Sequence, residues 1–307
     1  MIEALLSAQT HRFTGIDPLL PAAVEPPRGD LLTAALPDGE QVVGTLCHTT
    51  LAAGTPQTLW SALDSWELHP LLGAMGGAGL DALLRQLPQV LHQARPSDDS
   101  SCLVTWPSRD SAATRVFLNH GFVPLSVLAV RTETHGTAPK RPSGLSVRRA
   151  GIADLDVLVE LAMAEVAYSA LVGSAVVRPD AADIRRAALR CHLDAGDPVW
   201  LAERDGIAFG HVEGWHTESV PGSWAETRVR HGRWGYVNSL SVAPGARGGG
   251  VGRVLMDVAH AELLDGETVG AFLYYNPPNP LSTTFWARQG YRGLWTLWEV
   301  RPANALR

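Results

Sequence analysis

The sequence predicts an α/β (α+β) protein made of two similar domains in tandem, each a mixed, mostly antiparallel sheet flanked by helices. Three observations predict it. The chain has 307 residues, enough for two cores of ordinary domain size. Its second half alternates short apolar strands with helically spaced apolar residues. Two glycine-bearing features also recur in the same order. Gly77-Ala78-Gly79 opens an apolar helix as Gly250-Val251-Gly252 does, 173 residues on (77 to 250). The run from Val116 to Phe122 resembles that from Phe285 to Tyr291, 169 residues on (121 to 290).

The elements of the second half follow in order. Residues 132–144, polar and carrying two prolines and two glycines, read as a linker and divide the chain into 1–137 and 138–307. Apolar strands flank it at 126–131 and 145–149. Leu155, Leu158, Val159 and Ala162 predict a helix over 154–170. Asp180 is an N-cap for a second helix reaching about His192. Strands at 199–203 and 207–215 flank an Arg-Asp-Gly turn, a hairpin signal. A strand at 236–242, a helix at 251–264, a strand at 270–276, a helix at 281–289 and a strand at 293–301 complete the domain.

Composition narrows the chemistry. A net charge of −6 argues against a nucleic-acid binder, which needs clustered Lys and Arg, and suits a cationic partner such as an amine. No apolar run is long enough to span a membrane, and the N-terminus has no secretory pattern. Cys47, Cys102 and Cys191 are scattered and read as reduced thiols of a cytoplasmic protein. Lys140 is the only lysine, which excludes a P-loop or a lysine nucleophile in the folded parts. The lysine-poor, Ala- and Gly-rich composition suggests a GC-rich bacterial source. Histidines at ligand spacing are missing, so no metal is expected.

The segment that carries chemistry is Tyr236–Arg253, YVNSLSVAPGARGGGVGR. A strand ends at Val242 and a glycine-rich loop leads into a helix. Bare backbone amides, the helix N-terminus and the charge of Arg247 suit a pyrophosphate. A Walker A loop would need Gly-Lys-Ser/Thr, and a dinucleotide fingerprint would need a third glycine where Leu255 stands. The pattern Arg247-Gly248-Gly249-Gly250-Val251-Gly252 after Ser-Val-Ala-Pro instead resembles the CoA-binding motif of the GNAT superfamily of N-acetyltransferases. The element order of 145–301 resembles the GNAT fold, and Asn279 with Phe285-Trp286 and Gly290-Tyr291 resembles a second family run.

The resemblance implies acetyl-CoA as co-substrate and the amine of a small molecule as acceptor. By the same likeness, Leu240, Ser241 and Val242 pair their backbone with the pantetheine arm. Arg247, Gly248, Gly249, Gly250, Val251, Gly252 and Arg253 hold the pyrophosphate. Asn279 contacts the arm or caps the helix after it. The sequence departs from the family where a tyrosine usually protonates the leaving thiolate: Trp286 stands there. Asn238 and Ser239 stand on the strand where an acid often sits. Glu213, with His211 on its face, is the candidate base and Tyr274 the candidate donor; the alternatives are an ion-paired or solvated Glu213 and a core Tyr274.

In the first repeat Ala74 takes the place of Arg247, so residues 1–137 read as a degenerate copy. Tandem members of the mycothiol-synthase type are a distant likeness. The competing function is an acyl-CoA-binding sensor or interaction protein without catalysis. Acceptor, acyl chain length and the choice between monomer and homodimer are not legible in the sequence.

Overall fold

The computed structural model describes residues 2–133 and 142–307. Most of the expected linker, with Lys140 and the 137/138 boundary, lies outside the described residues.

The first repeat runs α1 (Ile2–Ile16), β1 (Asp30–Ala35), β2 (Gln41–Thr50), β3 (Asp64–Leu71), α2 (Gly76–Leu84), α3 (Leu87–Ala94), β4 (Ser100–Pro107), α4 (Ser111–Asn119) and β5 (Val123–Arg131). The second runs β6 (Ser146–Arg149), α5 (Leu155–Leu171), α6 (Ala181–Ala195), β7 (Val199–Arg204), β8 (Ile207–Ser219), β9 (Gly232–Val242), α7 (Val251–Leu263), β10 (Gly270–Tyr275), α8 (Pro280–Arg288) and β11 (Arg292–Val300). The β7–β8 turn is built as its sequence demands: Asp205 and Gly206 both take positive φ, at 52° and 76°.

The eleven strands of the described residues form one sheet, in the order β1-β2-β3-β4-β11-β5-β10-β9-β8-β7-β6. Among the described residues the only parallel pairs are β3 with β4 and β9 with β10. These occupy equivalent places in the two repeats, each followed by a helix and an antiparallel strand. The last strands are exchanged: β5 pairs with β10, β11 with β4, and β5 with β11 at the centre.

This exchange knits the two cores together. On β5, Leu128 and Val130 face the core of the first repeat, while Val127 and Ala129 face that of the second. Trp295, Trp298 and Val300 of β11 belong to the first repeat's core, beside Phe117, Leu83 and Val104. Each such side chain is worth about 1.5–3 kcal/mol when fully buried, so the repeats are bound by the same apolar contacts that fold them.

Candidate active site

The site begins where β9 and β10 part. They pair from Gly270–Trp234 to Leu273–Val237 and no further. Beyond this point β9 stays paired to β8, through Ser239–Glu213, Leu240–Val212, Ser241–His211 and Val242–Gly210. Asn238 is the odd residue, since Gly214 pairs with Val237 and Glu213 already with Ser239. Glycine at 214 lets the strands close up around this bulge: a Cβ there would lie 2.5 Å from the Tyr236 carbonyl oxygen. The bulge turns β9 away from β10 and opens a cleft of about 1150 Å³, with Leu240, Ser241 and Val242 along one edge.

The glycine loop lies at one end of this cleft. Gly248 and Gly250 take φ of 80° and 84°, a left-handed backbone that glycine adopts without strain. Gly250 precedes α7 and offers no capping side chain, so the first-turn amides of Val251, Gly252 and Arg253 are left for another acceptor. Arg247 stands at the mouth. Its Nε donates to the Val242 carbonyl oxygen (3.0 Å) and its guanidinium lies 5.0 Å from the centre of the Tyr168 ring. An uncapped helix N-terminus beside an oriented arginine is a cradle that fits a pyrophosphate. Asn279 caps α8, its Oδ1 accepting from the amides of Leu281 (3.0 Å) and Ser282 (3.2 Å), while also lining the cleft.

The candidate base expected from sequence is placed elsewhere. Glu213 is 1% exposed and is not part of the cleft wall. Its Oε1 accepts from Arg185 Nη2 (3.1 Å) and Asn238 Nδ2 (2.6 Å). Burial works to raise its pKa, but the Arg185 charge prevails and holds the carboxylate below its usual range. It is a buried ion-pair partner that fixes Asn238 at the bulge. His211, fully buried, is pushed down to about 4 by burial and is neutral at pH 7, so it cannot act as a cationic partner. Replacing Arg185 by Met strands the Glu213 charge; urea denaturation is expected to show a loss of about 3–5 kcal/mol.

The carboxylate that does reach the cleft is Glu165 of α5. It accepts a hydrogen bond from Ser239 Oγ on β9. Burial is the main cause that raises it to about 7, with Arg185 opposing and the negative Glu213 reinforcing the rise. A carboxyl group that titrates near neutrality in a cleft is matched to proton transfer. The sequence carried a signal for it. Leu158, Leu161, Ala162 and Ser169 are buried on one face of α5, and Glu165 falls on that same stripe. Arg185 does likewise beside Ala181, Ile184 and Leu189 on α6.

Tyr274 stands in the cleft wall, 41% exposed, and is not a core residue. The protein packed around it raises its phenol above the ordinary value, so it keeps its proton at neutral pH. Its Oη accepts from Arg228 Nε (3.1 Å), which leaves the phenolic hydrogen to point elsewhere. Trp286 is 7% exposed and packs edge-on to Phe285 and Tyr291, a wall residue of the cleft. Among the described residues there is no cluster of three or more His, Cys, Asp or Glu that could hold a metal ion, and no helix is long and apolar enough to cross a membrane.

Comparison with known proteins agrees with this geometry. Residues 165–291 match the acetyltransferase (GNAT) family model. No curated protein matches the chain. Among solved structures, a GCN5-related N-acetyltransferase from Sphaerobacter thermophilus superposes with a TM-score of 0.60 at 17% identity, over 98% of this chain and 93% of its own. A GNAT-family acetyltransferase from Colwellia psychrerythraea gives 0.52 at 12% identity, over 96% of each chain. The parted β9 and β10, the glycine cradle at the head of α7 and the family match fall on the same elements: residues 165–291 are similar to the acetyltransferase (GNAT) family, and the fold of the whole chain is similar to that of GNAT-family structures.

Proposed function

We propose that the protein transfers an acetyl group from acetyl-CoA to the amine of a small molecule by direct attack on the thioester. The observation that carries this reading is the parting of β9 from β10 directly above an uncapped helix N-terminus. The bare edge of β9 from Ser239 to Val242 can take the amide groups of the pantetheine arm as an added strand would. Arg247 and the amides from Gly248 to Arg253 would hold the pyrophosphate. Acetyl-CoA supplies the activated acyl group; the chain supplies position and proton transfer.

Glu165 takes the role first assigned to Glu213. An acceptor arrives as an ammonium ion, and a carboxylate titrating near pH 7 can remove its proton, with Ser239 Oγ holding the carboxylate in place. Tyr274 is the donor for the departing thiolate, oriented by Arg228. A thiolate is already a good leaving group, so Tyr274→Phe is expected to lower kcat by only about tenfold, at unchanged KM for acetyl-CoA. Residues 1–137 act as a degenerate repeat whose exchanged strand β5 supports β10, and residues 138–307 carry the reaction.

The test is a steady-state assay of thiol release over a panel of small amines. Amine-dependent turnover supports the enzyme; tight acetyl-CoA binding without turnover on any amine would favour an acyl-CoA sensor, the reading that Trp286 in the usual donor's place suggests.

A further inference from the structure

The first repeat has a parting of its own. β3 pairs with β4 from Asp64–Ser100 to Leu68–Val104, then runs on to Leu71 paired with β2 alone. In the second repeat the equivalent edge of β9 faces the cleft. Here it is covered by α1, at the opposite end of the chain from the family match.

The contacts of α1 follow the parts of that cleft one by one. Gln9, 6% exposed, donates from Nε2 to the Pro70 carbonyl oxygen (3.2 Å) and accepts at Oε1 from the Leu72 amide (2.7 Å). One amide group thus satisfies a donor and an acceptor two residues apart, as the peptide group of a neighbouring strand does. Leu5 crowds the turn after β3, where a Cβ on Gly73 would come within 2.9 Å of its Cδ2. Arg12 lies against Gly76, the first residue of α2, and donates from Nη2 to Asp110 Oδ2 (2.6 Å). Asp110 caps α4 as Asn279 caps α8. Phe13 is held edge-on between Trp106 and Trp295, at 5.5 and 5.4 Å. Positions 5, 9, 12 and 13 share one helical face.

We infer that the first repeat contains a second slot of acyl-CoA type, and that α1 occupies it as a ligand supplied by the chain itself. Gln9 stands where the amide of a pantetheine arm would lie, and Leu5 and Arg12 cover the turn and the helix start where its phosphates would sit. This rests on the reading that the β9/β10 cleft takes acyl-CoA. One acyl-CoA is then taken up per chain, and removing α1 from its seat bares a second place.

The test is calorimetric titration of acetyl-CoA, paired with amide hydrogen exchange, on the full chain and on a Leu5→Asp, Gln9→Ala, Phe13→Ala variant. Wild type is expected to bind one equivalent, slowing exchange only around β9 and the loop before α7. The variant is expected to bind a second, weaker equivalent that slows exchange at Leu72 and the start of α2. Two equivalents in wild type, or one in a variant whose first site is unchanged, overturns the inference. Uptake by neither protein overturns both this inference and the reading of the working cleft.

Should the variant fail to fold, a specific protease site placed in the irregular segment 22–28 allows the wild-type contacts to be kept. After nicking, millimolar acetyl-CoA is expected to speed release of the α1 fragment, and a release rate independent of acetyl-CoA overturns the inference.

Discussion

Glu165→Gln is expected to lower kcat by about 100- to 10,000-fold, the range for loss of a positioned base, with little change in KM for acetyl-CoA. The same substitution is expected to stabilise the protein at pH 8. Glu165 has an ordinary value of 4.5 when unfolded and about 7 in the fold. Between these values the unfolded chain gives up its proton while the folded chain keeps it, so stability falls as pH rises through this window and the full cost applies above pH 7. Glutamine carries no such cost. Thermal denaturation should show the variant gaining about 1–3 kcal/mol at pH 8 and nothing at pH 4. In wild type, kcat/KM should rise through pH 7 as the carboxylate forms. A variant that keeps full turnover would remove Glu165 from the mechanism.

Arg247→Glu is the second large effect. It removes a charge-assisted contact and places a negative side chain at the mouth of the phosphate cradle. A hydrogen bond to a charged group is worth about 1.5–3 kcal/mol, so KM for acetyl-CoA should rise by at least about 100-fold once repulsion is added. At saturating acetyl-CoA kcat should be nearly unchanged, because Arg247 binds the far end of the molecule in ground and transition states alike. Equal loss in kcat and kcat/KM would mean that Arg247 acts on the reacting atoms instead.

The element order of the second half was legible because each piece announces itself locally: an apolar stripe, an N-cap, a hairpin turn, a glycine loop. Strand ends were less so. β9 begins at Gly232, four residues before the expected start, because Gly235 breaks the apolar alternation. That glycine is there for the end of α7, since a Cβ would lie 2.7 Å from the Leu263 carbonyl oxygen. The exchange of β5 and β11 had no local sign at all, because strand pairing across more than 100 residues leaves no trace in spacing. Nor had the seating of α1, whose one decisive side chain, Gln9, looks like any polar helix residue.

The site divided along the same line. The cradle from Arg247 to Arg253 could be read because one loop builds it. Of the proposed acid–base pair, Tyr274 was legible on its strand and Glu165 was not, because the two come from elements 109 residues apart (165 to 274) that line one cleft only in the fold. Glu213 drew notice as a carboxylate on the strand beside β9, sharing a face with His211; what sequence could not show was Arg185 closing over it from α6.

The most direct test of the whole account is titration of acetyl-CoA into the wild-type protein. The parted β9 and β10 and the cradle before α7 predict saturable binding at one site per chain. No binding at millimolar acetyl-CoA would contradict the account and leave a GNAT-like fold with some other use.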